Sequence, residues 1–128
     1  MHITNVIYAE IKEEMNMEML KENDVFYTIY TEAGQVLGDF STREEAINHV
    51  KNDCDVEFYD VIITEKVRKG ADNRKYWITT ILLIDTDTNK GEEFVIECNK
   101  IRHGEVVRMR YEEEYSYLYW RESEEGEE

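Results

Sequence analysis

The chain has 128 residues, of which 41% are hydrophobic, and its 30 acidic and 15 basic residues give a net charge of −15 at pH 7. This length suits one domain with one core, and the apolar content is too high for a disordered chain. Such a negative charge repels nucleic acid and anionic lipid, and no apolar run approaches the roughly 20 residues that span a bilayer. Composition therefore argues against direct binding to DNA, RNA or a membrane.

Cysteine and proline usage favour one continuous domain in a reducing compartment. The two cysteines, Cys54 and Cys98, are too few for a disulfide framework, and the N-terminus lacks the pattern of an export signal. We expect two thiols and a cytoplasmic protein. With no proline to rigidify a linker, we expect a single domain over 1–121 and a frayed acidic tail over 122–128.

The N-terminal segment predicts an amphipathic helix over about 4–23. Apolar residues recur every four positions, at Ile3, Ile7, Ile11, Met15 and Met19. The alternation within 3–11 also suits a strand. The next segments, 25–31 and 36–40, are β-branched and aromatic and predict a hairpin that turns near Gly34.

A second helix is predicted from the segment 41–53. Its start holds the capping-box spacing twice, at Ser41–Glu44 and Thr42–Glu45, ahead of an apolar face. Members of that face are Ala46, Ile47 and Val50.

Four further runs of β-forming residues follow without a helix between them. They cover 56–67, 75–85, 92–98 and 104–111 and are separated by Gly, Asn or Asp turns. Successive strands at this spacing predict an antiparallel meander. The predicted fold class is α+β, with an antiparallel sheet of about five to six strands and one or two helices packed on one face.

The tyrosine-rich segment 111–120 fits two structures. Tyr111, Tyr115, Leu118 and Tyr119 fit a helical stripe, whereas alternate tyrosines from 111 to 119 share one face of a strand. The ring-rich composition favours the strand. In either case we expect the tyrosines to anchor the segment and the glutamates to face water.

The residue pattern predicts no catalytic residue. His49 and Cys54 are close in sequence, but His49 lies on the polar side of the helix predicted over 41–53, so we expect a solvent-facing histidine and a structural thiol. A basic cluster could bind phosphate or could neutralise neighbouring acidic faces. Its members are Lys66, Arg68, Lys69, Arg74 and Lys75.

The sequence also predicts no metal and no cofactor. Asp85, Asp87 and Asn89 copy the first ligand positions of a calcium loop, but Lys90 and Ile96 stand where that loop needs Gly and Glu. A hairpin loop explains these turn-forming residues. The histidines and cysteines lack zinc-site spacing, and no glycine-rich phosphate loop is present.

The charge pattern predicts a protein partner. Residues 65–111 carry ten basic and eight acidic residues, whereas 112–128 carry eight acidic residues and one basic residue. Same-face residues on a strand are about 6.6–6.8 Å apart and i, i+4 residues on a helix about 6 Å apart, close to the roughly 6–7 Å between phosphates of a nucleic acid. Carboxylates on a rigid fold can thus occupy a groove that binds phosphates.

We therefore predict a non-enzymatic binding module whose partner is a basic, nucleic-acid-binding protein or nuclease. The predicted partner-binding residues are Asp53, Asp55, Glu57, Asp60, Glu112, Glu113, Glu114, Tyr115, Tyr117 and Tyr119. In size, charge and aromatic content the chain resembles the DNA-mimic inhibitors that phages make against restriction or CRISPR nucleases. The alternatives are a soluble domain whose acidity is only a solvated surface, or a small enzyme or ligand-binding domain.

Overall fold

A computed structural model describes residues 21–53 and 58–126, with the side chains of Asp53 and 122–126 not described. Residues 4–20 of the helix predicted near the N-terminus lie outside these residues, as do Cys54 and the predicted contact residues Asp55 and Glu57. The last predicted positions of that helix, Glu22 and Asn23, form a turn.

The described residues form six strands and two helices, with β-branched and aromatic runs in the strands. Their order is β1 Val25–Thr31, β2 Val36–Phe40, α1 Arg43–Asp53, β3 Tyr59–Lys69, β4 Lys75–Asp85, β5 Gly91–Arg102, β6 Glu105–Arg108 and α2 Tyr111–Gly126. Neither helix is long and apolar enough to cross a membrane, within the part of the chain described here.

All six strands join one antiparallel sheet in the order β2-β1-β5-β4-β3, and β6 pairs with the end of β5. The hairpins β3–β4, β4–β5 and β5–β6 form the predicted meander, and β1 places the first hairpin beside β5. The predicted α+β fold class, with an antiparallel sheet of this size, is confirmed.

Both helices lie on one face of the sheet, which we call the helix face. Tyr27 and Ile29 of β1 point to this face and form the core with Ala46 and Val50 of α1. Tyr117 of α2 packs against the same cluster. The opposite face carries the alternate residues of each strand.

The start of α1 uses one of the two predicted capping boxes. The Glu45 amide donates to the Thr42 hydroxyl at 3.0 Å, which satisfies a free N–H of the first turn. The Glu45 carboxylate accepts from the Ser41 hydroxyl at 2.8 Å. The predicted spacing Thr42–Glu45 is therefore the cap, and the next residue, Arg43, is the first of the helix.

The segment that imitates a calcium loop is a turn between β4 and β5. Asp85 Oδ1 accepts from the amides of Asp87 at 2.8 Å and Thr88 at 3.1 Å, and Asn89 has a φ of +62°. These features are typical of an Asx turn with a left-handed residue. The hairpin-loop interpretation is confirmed.

Candidate protein-binding face

The segment 111–120 is the first part of helix α2, so the predicted strand is wrong. Glu114 and Tyr117 lie on the buried side, three residues apart, whereas Tyr115 and Tyr119 are both 59% exposed. That pattern follows helical spacing and not the alternation of a strand. Three glutamates in the first turn also favour the helix through its dipole.

The helix is attached to the core by a buried ion pair between Glu114 and Arg43. Arg43 Nη2 donates to both carboxylate oxygens of Glu114, at 2.8 and 2.7 Å, and Arg43 Nη1 donates to the Thr79 hydroxyl at 2.8 Å. The guanidinium carbon lies 4.5 Å from the centroid of the Trp77 ring and 5.1 Å from that of Tyr27. Arginine thus makes the paired and stacked contacts that a buried cation needs.

Burial and pairing with Arg43 shift the pKa of Glu114 in opposite directions. The residue is 0% exposed. Loss of hydration raises the pKa of the Glu114 carboxyl, and the Arg43 guanidinium partly opposes this rise. A fully enclosed carboxylate cannot contact a partner in this fold. The prediction that Glu114 is a partner-binding residue is therefore wrong, because the side chain is needed in the core.

Glu113 is also held by neighbours within the chain. It forms ion pairs with Lys100 of β5 and, at 3.3 Å, with Arg110 Nε. The hydrogen bond from Lys100 is the main reason that the pKa of the Glu113 carboxyl lies below its usual value. Of the first-turn glutamates, Glu112 is the one that is exposed.

We call the solvent-facing side of α2, formed by Glu112, Tyr115, Tyr119 and Trp120, the α2 outer face. Trp120 is 66% exposed and its ring meets that of Tyr119 edge-on, with centroids 6.0 Å apart. Glu112, Tyr115 and Tyr119 share one side of the helix because residues three, four and seven apart are neighbours there, and Trp120 borders that side through its ring contact with Tyr119. Large exposed rings in one patch are typical of surfaces that bind other molecules.

A row of ring contacts connects the α2 outer face to the sheet. The Tyr115 and Tyr111 centroids are 6.1 Å apart, and Tyr111 meets Trp77 of β4 edge-on at 6.3 Å. Trp77 in turn stacks on Arg43 of the buried ion pair. The Tyr115 ring is therefore supported by packed neighbours, which lowers the entropy cost of binding through it.

The other predicted contact residues do not join this face. Tyr117 packs into the core cluster and serves as the predicted anchor. Asp60 is exposed on β3, but its chain neighbours Tyr59 and Val61 pack toward the core, so Asp60 points to the sheet face opposite α2. Asp53 ends α1, and its side chain is not described.

Two residues that matter in the structure are not among the predicted contacts. Trp120 lies next to Tyr119 in the sequence and was part of the same ring-rich segment. Arg43 precedes Ala46 and Ile47 by three and four positions, so helical spacing already placed it on the apolar face of α1. A charged residue on an apolar stripe is a signal for a buried ion pair.

An open cleft of about 450 Å³ lies beside the ion pair, between the two helices and the sheet. Its lining includes Arg43, Glu65, Leu118 and Arg121, and Arg121 Nη1 donates to the Ser41 carbonyl at 3.4 Å. No cysteine or histidine is among the described lining residues.

The sheet face opposite the helices holds the half-buried carboxyl of Asp39. Thr28 donates its hydroxyl hydrogen to Asp39 Oδ1 at 2.7 Å and accepts from Asn99 Nδ2 at 2.9 Å. Burial raises the pKa of Asp39 to about 8. This residue changes charge close to neutral pH.

The single described cysteine, Cys98, is a buried thiol as expected. It is 2% exposed, and its Sγ lies 3.5 Å from the Met109 sulfur. Burial raises the pKa of the Cys98 thiol, which opposes formation of the reactive thiolate.

Comparisons with models of known protein families, with curated proteins and with solved structures found no match to this chain.

Proposed function

We propose that the chain is an acidic protein-binding module that uses the α2 outer face to contact a basic, nucleic-acid-binding protein. The observation that carries this proposal is the exposure of Tyr115, Tyr119 and Trp120 at 59%, 59% and 66% on one helix, with the Tyr119 and Trp120 rings in contact. Tyrosine and tryptophan are the residues most enriched among those that dominate binding energy at protein interfaces. Leaving three such rings in water is unfavourable unless a partner covers them.

Charge selects the class of partner. At a net charge of −15 the chain attracts basic surfaces over a distance of about one Debye length and repels nucleic acid. Nucleases and other nucleic-acid-binding proteins display such basic surfaces. In the DNA-mimic form of the proposal, the module occupies the groove that binds phosphates and so inhibits the partner.

In this proposal, charge attracts the partner from a distance and the rings make the close contact. Glu113 and Glu114 are paired within the chain, so they add little to the field that a partner meets. Glu112 and the overall net charge attract the partner, and the rings supply the short-range contact. Binding should therefore weaken with salt but should not vanish, because burial of the rings is independent of ionic strength.

The test is a pull-down from the source cells at low and at high salt, with the wild-type chain and with a Tyr115→Ala/Tyr119→Ala/Trp120→Ala variant. Leu37→Ala serves as the matched control, since Leu37 of β2 is 46% exposed and lies on another element. We expect the wild type and the control to capture a nucleic-acid-binding protein and the triple variant to lose it.

A second step tests mimicry. Duplex DNA added to the purified complex should displace the chain if both use the same groove. Equal capture by wild type and the triple variant would reject the α2 outer face. Capture that DNA does not reduce would reject mimicry while keeping protein binding.

A further inference from the structure

The outer edge of β3 is an unpaired sheet edge among the described strands. β3 pairs with β4 along its whole length, from Tyr59 opposite Asp85 to Lys69 opposite Lys75, without a shift in register. The other end of the sheet is different, because β2 has five residues and its pairing with β1 contains an irregularity. Short and irregular edges resist further pairing, whereas a long and regular edge is a template for another strand.

The hydrogen bonds at both ends of β3 show which backbone groups face outward. The Phe58 carbonyl accepts from the Thr86 amide at 3.0 Å, and the Gly70 amide donates to the Arg74 carbonyl at 2.8 Å. Because alternate residues of a strand point their N–H and C=O groups to opposite sides, the backbone groups of the even-numbered residues point to β4 and those of the odd-numbered residues point outward. The outward-facing residues are Tyr59, Val61, Ile63, Glu65, Val67 and Lys69.

The side chains along β3 leave apolar surface exposed on both faces of the sheet. Ile62 is 47% exposed on one face, while Ile63 and Val67 are 41% and 47% exposed on the other. An exposed strand whose outward backbone groups have no strand partner among the described residues, and whose apolar side chains lie on both faces, is suited to pairing edge to edge.

We propose that β3 pairs with β3 of a second copy of this chain, antiparallel and with a two-fold axis at Thr64. Thr64 is the middle residue of β3, so this register pairs the strand over its full length and lets the outward-facing backbone groups meet partners. Val61 then lies opposite Val67 of the second copy. Asp60 lies opposite Arg68 of the second copy, and symmetry repeats this pair of opposite charges.

The position of Asp60 and Arg68 in the hydrogen-bonding pattern of the two strands strengthens the contact between their charges. Even-numbered residues fall in the non-hydrogen-bonded pairs of the new ladder, where facing side chains approach closest. A register centred on Glu65 would place two glutamates opposite each other. One centred on Ile63 would place Asp60 opposite Lys66, but it would shorten the paired stretch and leave Arg68 beyond the partner's strand. Charge complementarity thus favours a second copy, and charge together with the length of the pairing selects the register centred on Thr64.

Local charge makes β3 a favourable place for two acidic chains to meet. β3 contains three basic residues, Lys66, Arg68 and Lys69, against Asp60 and Glu65, whereas the whole chain carries −15. Pairing through β3 therefore avoids the strongest like-charge repulsion. It uses residues of β3 and none of the residues of the α2 outer face, so this proposal stands independently of the proposed function.

The first test uses sedimentation velocity of the full chain over a range of concentrations at about 0.15 M salt, where the Debye length is about 8 Å. We expect a concentration-dependent dimer for the wild type. Asp60→Lys and Arg68→Asp should each weaken it by about tenfold or more, since each turns two attractive pairs into repulsive ones. An equimolar mixture of the two variants should recover the wild-type affinity as a heterodimer, because both pairs between positions 60 and 68 are then of opposite charge.

The second test reads the register directly, in a Cys54→Ser background. Thr64→Cys should form a disulfide between two copies on mild oxidation, because facing residues in a non-hydrogen-bonded pair lie within disulfide range. Ile62→Cys alone should not, but it should cross-link to Lys66→Cys when the two are mixed. A wild type that stays monomeric at every concentration, or a dimer that both charge variants leave unchanged, would overturn the proposal. Recovery in the mixture excludes misfolding as the cause of weaker association.

Discussion

Removal of Glu114 should destabilise the chain far more than removal of any exposed glutamate. In Glu114→Ala the Arg43 guanidinium loses hydrogen bonds of 2.8 and 2.7 Å and remains in a site where it is only 8% exposed. Leaving one charge of a buried pair without its partner costs about 3–5 kcal/mol. A domain of this kind has a free energy of unfolding of about 5–15 kcal/mol, so the loss is a large share of it.

Two further variants separate charge from packing. Glu114→Gln keeps an amide oxygen for Arg43 and should lose less, about 1.5–3 kcal/mol. The double variant Arg43→Met/Glu114→Leu removes both charges and should recover most of the stability of the wild type, because well-packed apolar residues often replace a buried ion pair without loss. Glu112→Ala, in the same helical turn but exposed, is the control and should lose under about 1 kcal/mol.

The assay is urea unfolding followed by far-UV circular dichroism and tryptophan fluorescence. With a slope of about 2 kcal/mol per molar urea, Glu114→Ala should lower the midpoint by about 2 M. A loss below about 1 kcal/mol for Glu114→Ala would refute the buried pair. A double variant no more stable than Glu114→Ala would refute the argument that the unpaired charge causes the loss.

Three other results are expected. The pKa of Asp39 rises to about 8 in the folded state, so its stabilising contribution is complete below pH 4 and is lost as pH rises toward 8. Relative to Asp39→Asn, the free energy of unfolding of the wild type should fall by up to about 1.4 kcal/mol per pH unit in that window. Stability curves of the two proteins that run parallel over this pH range would contradict the prediction. In a Cys54→Ser background, Cys98 should react with a thiol reagent about a hundredfold more slowly in the folded than in the urea-unfolded chain, and equal rates would show that it is accessible. Gly104 has a φ of +75° and open space where a Cβ would lie, so backbone strain alone should lower the free energy of unfolding of Gly104→Ala by about 1 kcal/mol. An unchanged free energy in urea unfolding would place this residue at negative φ in solution.

Local patterns in the sequence predicted much of the sheet. The strands predicted over 25–31, 36–40 and 75–85 match β1, β2 and β4 residue for residue, because β-branched and aromatic runs between turn residues report a local preference. The capping box at Thr42 located the start of α1 for the same reason. Strand β5 extends to Arg102, beyond its predicted end, since pairing with β1 and β6 continues the ladder.

The α2 region shows what local patterns could not decide. Its tyrosines fit a helix and a strand about equally well, and the predicted acidic tail starts at residue 122 although α2 continues to Gly126. The sequence was also consistent with solvent exposure of all three first-turn glutamates. Placement of Glu113 and Glu114 depended on Lys100 and Arg43, which other elements supply.

The sequence by itself determined the fold class, the net charge of −15, and both ends of three of the six strands, because each follows from composition or from neighbours along the chain. Only the tertiary structure decided which residues of α2 are anchors and which are available for contact. The reason is that Arg43 and Glu114 are 71 residues apart, and their pairing rotates α2 so that Glu114 is enclosed while Tyr115, Tyr119 and Trp120 face solvent.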